Sequence, residues 1–229
     1  MENKSSRCID CPDKSCAVAV LNEKELEWMS GKVQRVVYEK GENLFHEGTL
    51  NGHIFYLKRG LVKLHMKVTE QKDFILKVAT APCFLGLSTI FGDRINRYSA
   101  TALEPSRVCM IDVATFNHLI LHNGPFAYEI LADICKDDLS TYRRYVQLIH
   151  KQTPGRLAGV LLFFSKKVYK SDHYELPLDR SELAEFMGLS REIVTRTLMQ
   201  FREDGLIDID KKHISILKPM VLMDIYRAG

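Results

Sequence analysis

The pattern of apolar and polar positions changes texture twice along the chain. Residues 17–33 (AVAVLNEKELEWMSGKV) read as a short helical entry. Asn22 is placed to cap a segment opened by Glu23, and Leu26 and Met29 fall three apart on one face. From about residue 36 to 113, short β-rich runs recur between glycines: VVYEKGENLFHEG, HIFYLKRGLVKLHMKV, DFILKVATAPCFLG and YSATALEPSRVCMID. Residues 61–66 alternate, and the whole stretch predicts an antiparallel sandwich or small roll. From residue 114 the period becomes helical. A short helix is expected over 114–121, and Gly124-Pro125 opens a long one to about residue 152, with Pro125 suited to a first turn. Along it Leu131, Ile134, Tyr145 and Leu148 recur near heptad spacing, in a seam that also holds Asp138 and Thr141. Two readings stay open: a parallel dimerisation helix tuned by a charge, or a helix lying on its own β domain with Asp138 solvated.

Thr153-Pro154-Gly155 reads as a hinge, followed by an apolar helix over 156–169. The most informative stretch is 176–219. Asp179 with Glu182 forms a capping box, Gly188 ends the first helix, and Ser190 caps a second. Small Ala184 and Gly188 permit close approach of the two. Ile193, Leu198 and Phe201 are the expected inner face of the second helix, and Gly205 closes it. Residues 206–209 and 214–217 then alternate around Asp210-Lys211-Lys212-His213, which predicts a helix-turn-helix with a β-hairpin wing. Arg191, Glu192, Thr195 and Arg196 open the second helix. Arg grips guanine through O6 and N7 and Glu accepts from cytosine N4, so the set suits major-groove reading of double-stranded DNA. Lys211, Lys212 and His213 at the wing tip suit phosphates. The competing reading is a solvated helical hairpin with Glu192–Arg196 ion pairs. It explains the charges but not caps, glycines and wing together.

Composition narrows the function. The chain has 229 residues, and its longest apolar run, residues 157–164, is eight long. A membrane span needs roughly 20, so no membrane association is expected. The polar N-terminus is not an export signal, and a cytoplasmic location follows. Net charge is +3, from 32 basic and 29 acidic side chains, too mild to argue for nucleic acid by itself. No Gly-rich phosphate loop, HExxH or GxSxG occurs, so the chain does not read as an enzyme. The eight histidines are scattered, and His65, His118 and His150 read as isolated surface or packing residues. The six cysteines include Cys8-x2-Cys11-x4-Cys16. In a reducing compartment such clustering favours metal ligation or redox chemistry, and soft thiolates suit iron–sulfur or zinc. Structural zinc, a bare thiol switch and a tail without a ligand all remain open. Cys83 and Cys135 read as ordinary buried small hydrophobes.

The chain resembles the CRP/FNR family of bacterial transcription regulators over nearly its whole length. The carriers are residues 38–64 (YEKGENLFHEGTLNGHIFYLKRGLVKL), with Gly41, Gly48 and Gly60, and SREIVTR in the recognition helix. Arg191 resembles the CRP branch, and Thr195 stands where the FNR branch has a small hydroxyl. The resemblance implies an α+β chain: a cysteine-containing arm (1–20), an antiparallel cyclic-nucleotide-binding-like β-roll (21–123), a dimerisation helix (124–152) and a winged helix-turn-helix domain (153–229). It further implies a homodimer on a TGA-containing inverted repeat, with RNA polymerase as protein partner. Members that bind cyclic AMP have Gly-Glu for the ribose and Arg-Ser for the phosphate. Here Leu87 follows Gly86 and Tyr98 precedes Ser99, with Arg97 displaced, so cyclic AMP is disfavoured. In the FNR branch three N-terminal cysteines and one in the roll hold a four-iron, four-sulfur cluster. By resemblance the ligands are Cys8, Cys11, Cys16 and Cys109, with Cys83 as fallback for the fourth.

Overall fold

The computed structural model describes residues 7–70 and 72–229. The chain forms two compact units, residues 1–66 with 76–138, and residues 67–75 with 139–229.

In the first unit a 3-10 turn (Cys8–Asp10) leads to α1 (Cys16–Ala19) and α2 (Glu23–Ser30). The entry read as one helical stretch is thus two. The Asn22 capping box, in which its side chain accepts from the Glu25 N–H and Glu25 accepts from the Asn22 N–H, starts the second. Strands β1 (Val33–Tyr38), β2 (Asn43–Phe45), β3 (His53–Arg59), β4 (Leu61–Thr69), β5 (Lys72–Thr80) and β6 (Cys83–Leu85) follow. After α3 (Leu87–Ile90) come β7 (Ser99–Ala102), β8 (Ser106–Asp112), α4 (Val113–His122) and α5 (Gly124–His150). Two four-stranded sheets form, in the orders β1-β8-β3-β6 and β2-β7-β4-β5.

Strand β3 explains why HIFYL reads as an unbroken apolar run. Phe55 and Leu57 face a core with Leu44, Phe45, Val62, Leu64, Ala100 and Val108, whereas Ile54 and Tyr56 face a second core with Cys109, Ile111, Phe116, Phe126 and Ile130. Helices cover the outer face of that sheet, so both faces are dry. Cys8, Ala17, Val18, Leu26 and Met29 of the arm belong to this second core.

Helix α5 carries a row of exposed apolar side chains: Tyr128, Leu131, Leu139, Tyr142, Tyr145, Val146 and Ile149. Of the expected seam, Leu131, Tyr145 and Asp138 lie exposed. Ile134 instead packs on the core of the first unit, and Leu148 is half-buried. Cys135 is exposed, contrary to its reading as a buried hydrophobe, whereas Cys83 is half-buried and packs against the core between the sheets.

In the second unit α6 (Thr153–Phe163) starts one residue after Gln152, with Pro154 in its first turn. The helix expected to run to residue 169 changes at Phe164 into a π-helical turn (Phe164–Tyr169). There follow β9 (His173–Glu175), α7 (Arg180–Met187), α8 (Arg191–Glu203), β10 (Ile207–Asp210), β11 (His213–Ile216) and α9 (Pro219–Ala228). The small sheet has the order β10-β11-β9. Gly155 lets α6 approach the end of α9, since a Cβ there would sit 2.8 Å from the Gly229 carbonyl carbon. Arg144 is half-buried in this unit. Its guanidinium donates to the carbonyls of Ile75 (2.8 Å) and Phe186 (2.6 Å) and stacks 4.0 Å from the Phe186 ring centroid, and burial lowers its pKa to about 10.

Candidate nucleic-acid interface and cysteine arm

The helix pair is built from local signals that each find a partner. Asp179 Oδ1 accepts from the N–H groups of Ser181 (2.8 Å) and Glu182 (2.9 Å), and Glu182 Oε2 accepts from the Asp179 N–H (2.8 Å). Such a cap contributes about 1 kcal/mol. Gly188 takes the left-handed conformation (φ 65°) that ends α7, and Ser190 Oγ accepts from the Ile193 N–H (3.3 Å) to start α8. The buried face of α8 is Val194, Leu198 and Phe201. Val194 takes the place expected for Ile193, which is only half-buried.

The opposite face of α8 exposes Arg191, Glu192 and Arg196. Glu192 is held below its usual carboxylate range by its own backbone N–H and the Ser190 hydroxyl, so it stays ionised at neutral pH. Thr195 departs from expectation: it is half-buried, and its hydroxyl donates to the Arg191 carbonyl (2.8 Å). Ile207, Ile209, Ile214 and Ile216 fix the wing from below. Lys211, in a left-handed conformation (φ 56°), Lys212 and His213 project from its tip.

Sequence reasoning missed Arg180. It lies with Leu176, Leu178, Asp179, Lys211, Lys212 and Ile214 around a cleft of about 90 Å3. Its Nη1 is buried without a hydrogen-bond partner, and desolvation lowers its pKa. The only signal in sequence was a cation directly after the Asp179 cap.

The cysteines come only partly together. Cys8 and Cys109 are buried in the same core, and Arg35 Nη2 lies 3.6 Å from Cys8 Sγ. Cys109 sits on β8 opposite Arg35 of β1 and Tyr56 of β3. Burial pushes its thiol up to about 11. The cations of Lys58 and Arg35 pull the other way, and the sulfurs of Cys8 and Cys11 add to the rise. The Tyr56 hydroxyl ties the arm down by donating to the Asp13 carbonyl (2.5 Å), and Arg59 pairs with the Asp13 carboxylate. Cys16 stands apart and exposed. It is felt by the Lys136 ammonium, whose pKa is raised first by its hydrogen bond to Asp133. The donor type fits a thiolate-held cluster, but the placement does not: among the described residues no three metal-type donors are gathered.

In the roll, Gly86 (φ 85°) starts α3, and Leu87 is buried in the core on the outer face of the sheet. Tyr98 packs its ring 5.6 Å from Phe45. Arg97 is exposed and pairs with Asp93, and Ser99 Oγ accepts from the Glu47 N–H (3.0 Å).

Two family models match: a Crp-like helix-turn-helix domain over residues 155–225 and a cyclic nucleotide-binding domain over residues 35–123. The chain belongs to the CRP/FNR family. It is similar to a fumarate and nitrate reduction regulatory protein of Vibrio cholerae, 26% identical over 95% of this chain and 89% of that one. The nitrogen fixation regulation protein FixK of Bradyrhizobium diazoefficiens is 27% identical over 93% and 90%. The solved structure of FixK2 from Bradyrhizobium japonicum superposes with a TM-score of 0.76 at 18% identity, covering 84% of this chain and 96% of that one, which supports the fold. Members of the CRP/FNR family are DNA-binding transcription regulators and not enzymes, so the helix pair and wing belong to a DNA-binding domain. Among the described residues no helix is long and apolar enough to cross a membrane.

Proposed function

We propose that this CRP/FNR-type regulator reads an inverted repeat as a cytoplasmic homodimer, with α8 in the major groove. The observation that carries the reading is the exposed trio Arg191, Glu192 and Arg196 on a helix whose opposite face is locked by Val194, Leu198 and Phe201. Thr195, whose hydroxyl proton is engaged by the Arg191 carbonyl, offers the groove its methyl group and its oxygen as an acceptor. Lys211 and Lys212 hold phosphates, and Arg180 with its unpartnered Nη1 joins them. The exposed apolar row of α5 pairs the two copies, and a twofold dimer requires a palindromic site. RNA polymerase is the protein partner at the promoter. Duplex carrying a TGA-containing inverted repeat should be retained in a salt-dependent way, and Arg191→Ala with Arg196→Ala should abolish the preference for that site. Undiminished preference would refute this use of α8.

Control is assigned to the arm. Cys8, Cys11, Cys16 and Cys109 hold a four-iron, four-sulfur cluster, which when bound supplies a redox-labile link between arm and roll. The spacing of the first three and the shared burial of Cys8 with Cys109 support this; Cys16 has to swing inward to complete the set. Cys109→Ala should make DNA affinity indifferent to air, and an unchanged response to air would argue against it. The second reading replaces the cluster with a structural zinc or a thiol switch; the scattered placement of the thiols favours the switch, which needs no set of thiolates gathered on one ion. Cyclic AMP is the disfavoured effector. Leu87 lies in the outer core and Arg97 pairs with Asp93, so neither offers a ribose or phosphate contact. Calorimetric titration with cyclic AMP should therefore give no heat of binding.

A further inference from the structure

His118 reads as isolated in the sequence, yet it lies one turn before His122 on α4, with ring centroids 4.1 Å apart and planes at 25°. Both are exposed. With Lys24, Glu25, Trp28 and Leu119 they line a cleft of about 180 Å3 between α2 and α4, and no cysteine lines it. We propose that His118 and His122 chelate a divalent transition-metal ion in this cleft, with the Glu25 carboxylate beside it.

Three features point to this chemistry. Two histidines at i and i+4 on one helix face have the spacing of a metal-ligand pair, and imidazole suits zinc, copper and nickel. His122 Nδ1 lies 2.8 Å from the His118 carbonyl. A carbonyl only accepts, so Nδ1 carries a proton, which makes Nε2 the nitrogen that presents a lone pair to a metal. Glu25 is also fixed. Both its carboxylate oxygens accept from Asn123 Nδ2 at 3.0 Å, and one accepts from the Asn22 N–H.

The described residues do not gather three such donors within ligating distance, so the imidazoles are the two protein ligands and water fills the other positions. Lys24 is exposed at the rim, and Lys32 is held over the Trp28 ring at 4.2 Å. An ion here sits on the last turn of α4 beside the Glu25 carboxylate of α2; Asn123, which holds Glu25, accepts from the Phe126 N–H through Oδ1 (2.9 Å) at the start of α5.

The test is calorimetric titration of untagged full-length protein with Ni2+, for the wild type, His118→Gln with His122→Gln, and Cys8→Ser with Cys11→Ser and Cys16→Ser. The wild type and the cysteine variant should each bind about one Ni2+ per chain at this site. The double histidine variant should lose that event, or weaken it more than about 100-fold, with an unchanged melting temperature in the absence of metal. His122→Gln alone should weaken it at least about 10-fold. Equal binding by the double histidine variant, or loss of the event in the cysteine variant alone, would overturn the proposal.

Discussion

The helix-turn-helix and the cysteine arm are both marked by conspicuous side chains, but they differ in what holds those side chains. In the first, the residues that cap and turn the helices are satisfied within a few positions of themselves. Asp179 caps α7 through Ser181 and Glu182, Gly188 turns the chain, and Ser190 caps α8 through Ile193. In the second, Cys8 of the 3-10 turn and Cys109 of β8 come into one core from about 100 residues apart in the chain, and Cys16 stays outside. A site assembled from neighbours along the chain is complete when its helix forms. A site assembled from distant segments waits for a ligand to repay the cost of ordering them.

The sharpest way to break this contrast is in the reader. Arg191→Ala with Arg196→Ala removes the two forks proposed to read bases, each worth about 1–3 kcal/mol in that role. Affinity for the specific site should fall about 30-fold or more in an equilibrium binding titration, while nonspecific binding changes much less. The arm offers the next largest effect. Burial raises the Cys109 thiol from 9.0 to about 11, which leaves about 100-fold less thiolate than an unperturbed thiol at pH 8. Alkylation followed by mass spectrometry should therefore label exposed Cys16 and Cys135 at least about 100-fold faster than Cys109. Comparable rates would mean that the arm does not seal the sheet.

Smaller effects sharpen the comparison. Asp138→Ala removes a charge from the exposed side of α5 and should shift the sedimentation equilibrium toward dimer without any cofactor; an unmoved equilibrium would detach Asp138 from the pairing face. Arg180→Ala should weaken binding about equally for all duplex sequences and lower the salt slope by about 1. A loss confined to the specific site would reassign it to base reading. Asp179→Ala should cost about 1 kcal/mol in denaturant unfolding, with the arm unaffected.

Much of this was legible in the sequence, because the winged domain and roll announce themselves through caps, turn glycines and alternation. What escaped has physical reasons. Ile193 and Val194 are adjacent and both apolar, so periodicity alone does not choose which faces inward. Helix α5 serves two faces over 27 residues, so Ile134, packed on the roll, and Tyr142, exposed, look alike in a heptad count. The stacking of His118 on His122 and the stranded guanidinium of Arg180 depend on what packs beside them, from α2 and from the wing respectively. The four thiols were legible as residues but not as a site, since nothing local fixes where Cys16 points.

The claim that the arm is completed by a ligand is tested most directly by purifying the full-length protein without oxygen and measuring iron, acid-labile sulfide and zinc per chain. The account predicts about four irons and four sulfides, lost on exposure to air and in Cys109→Ala. Zinc alone, or no metal at all, would contradict it.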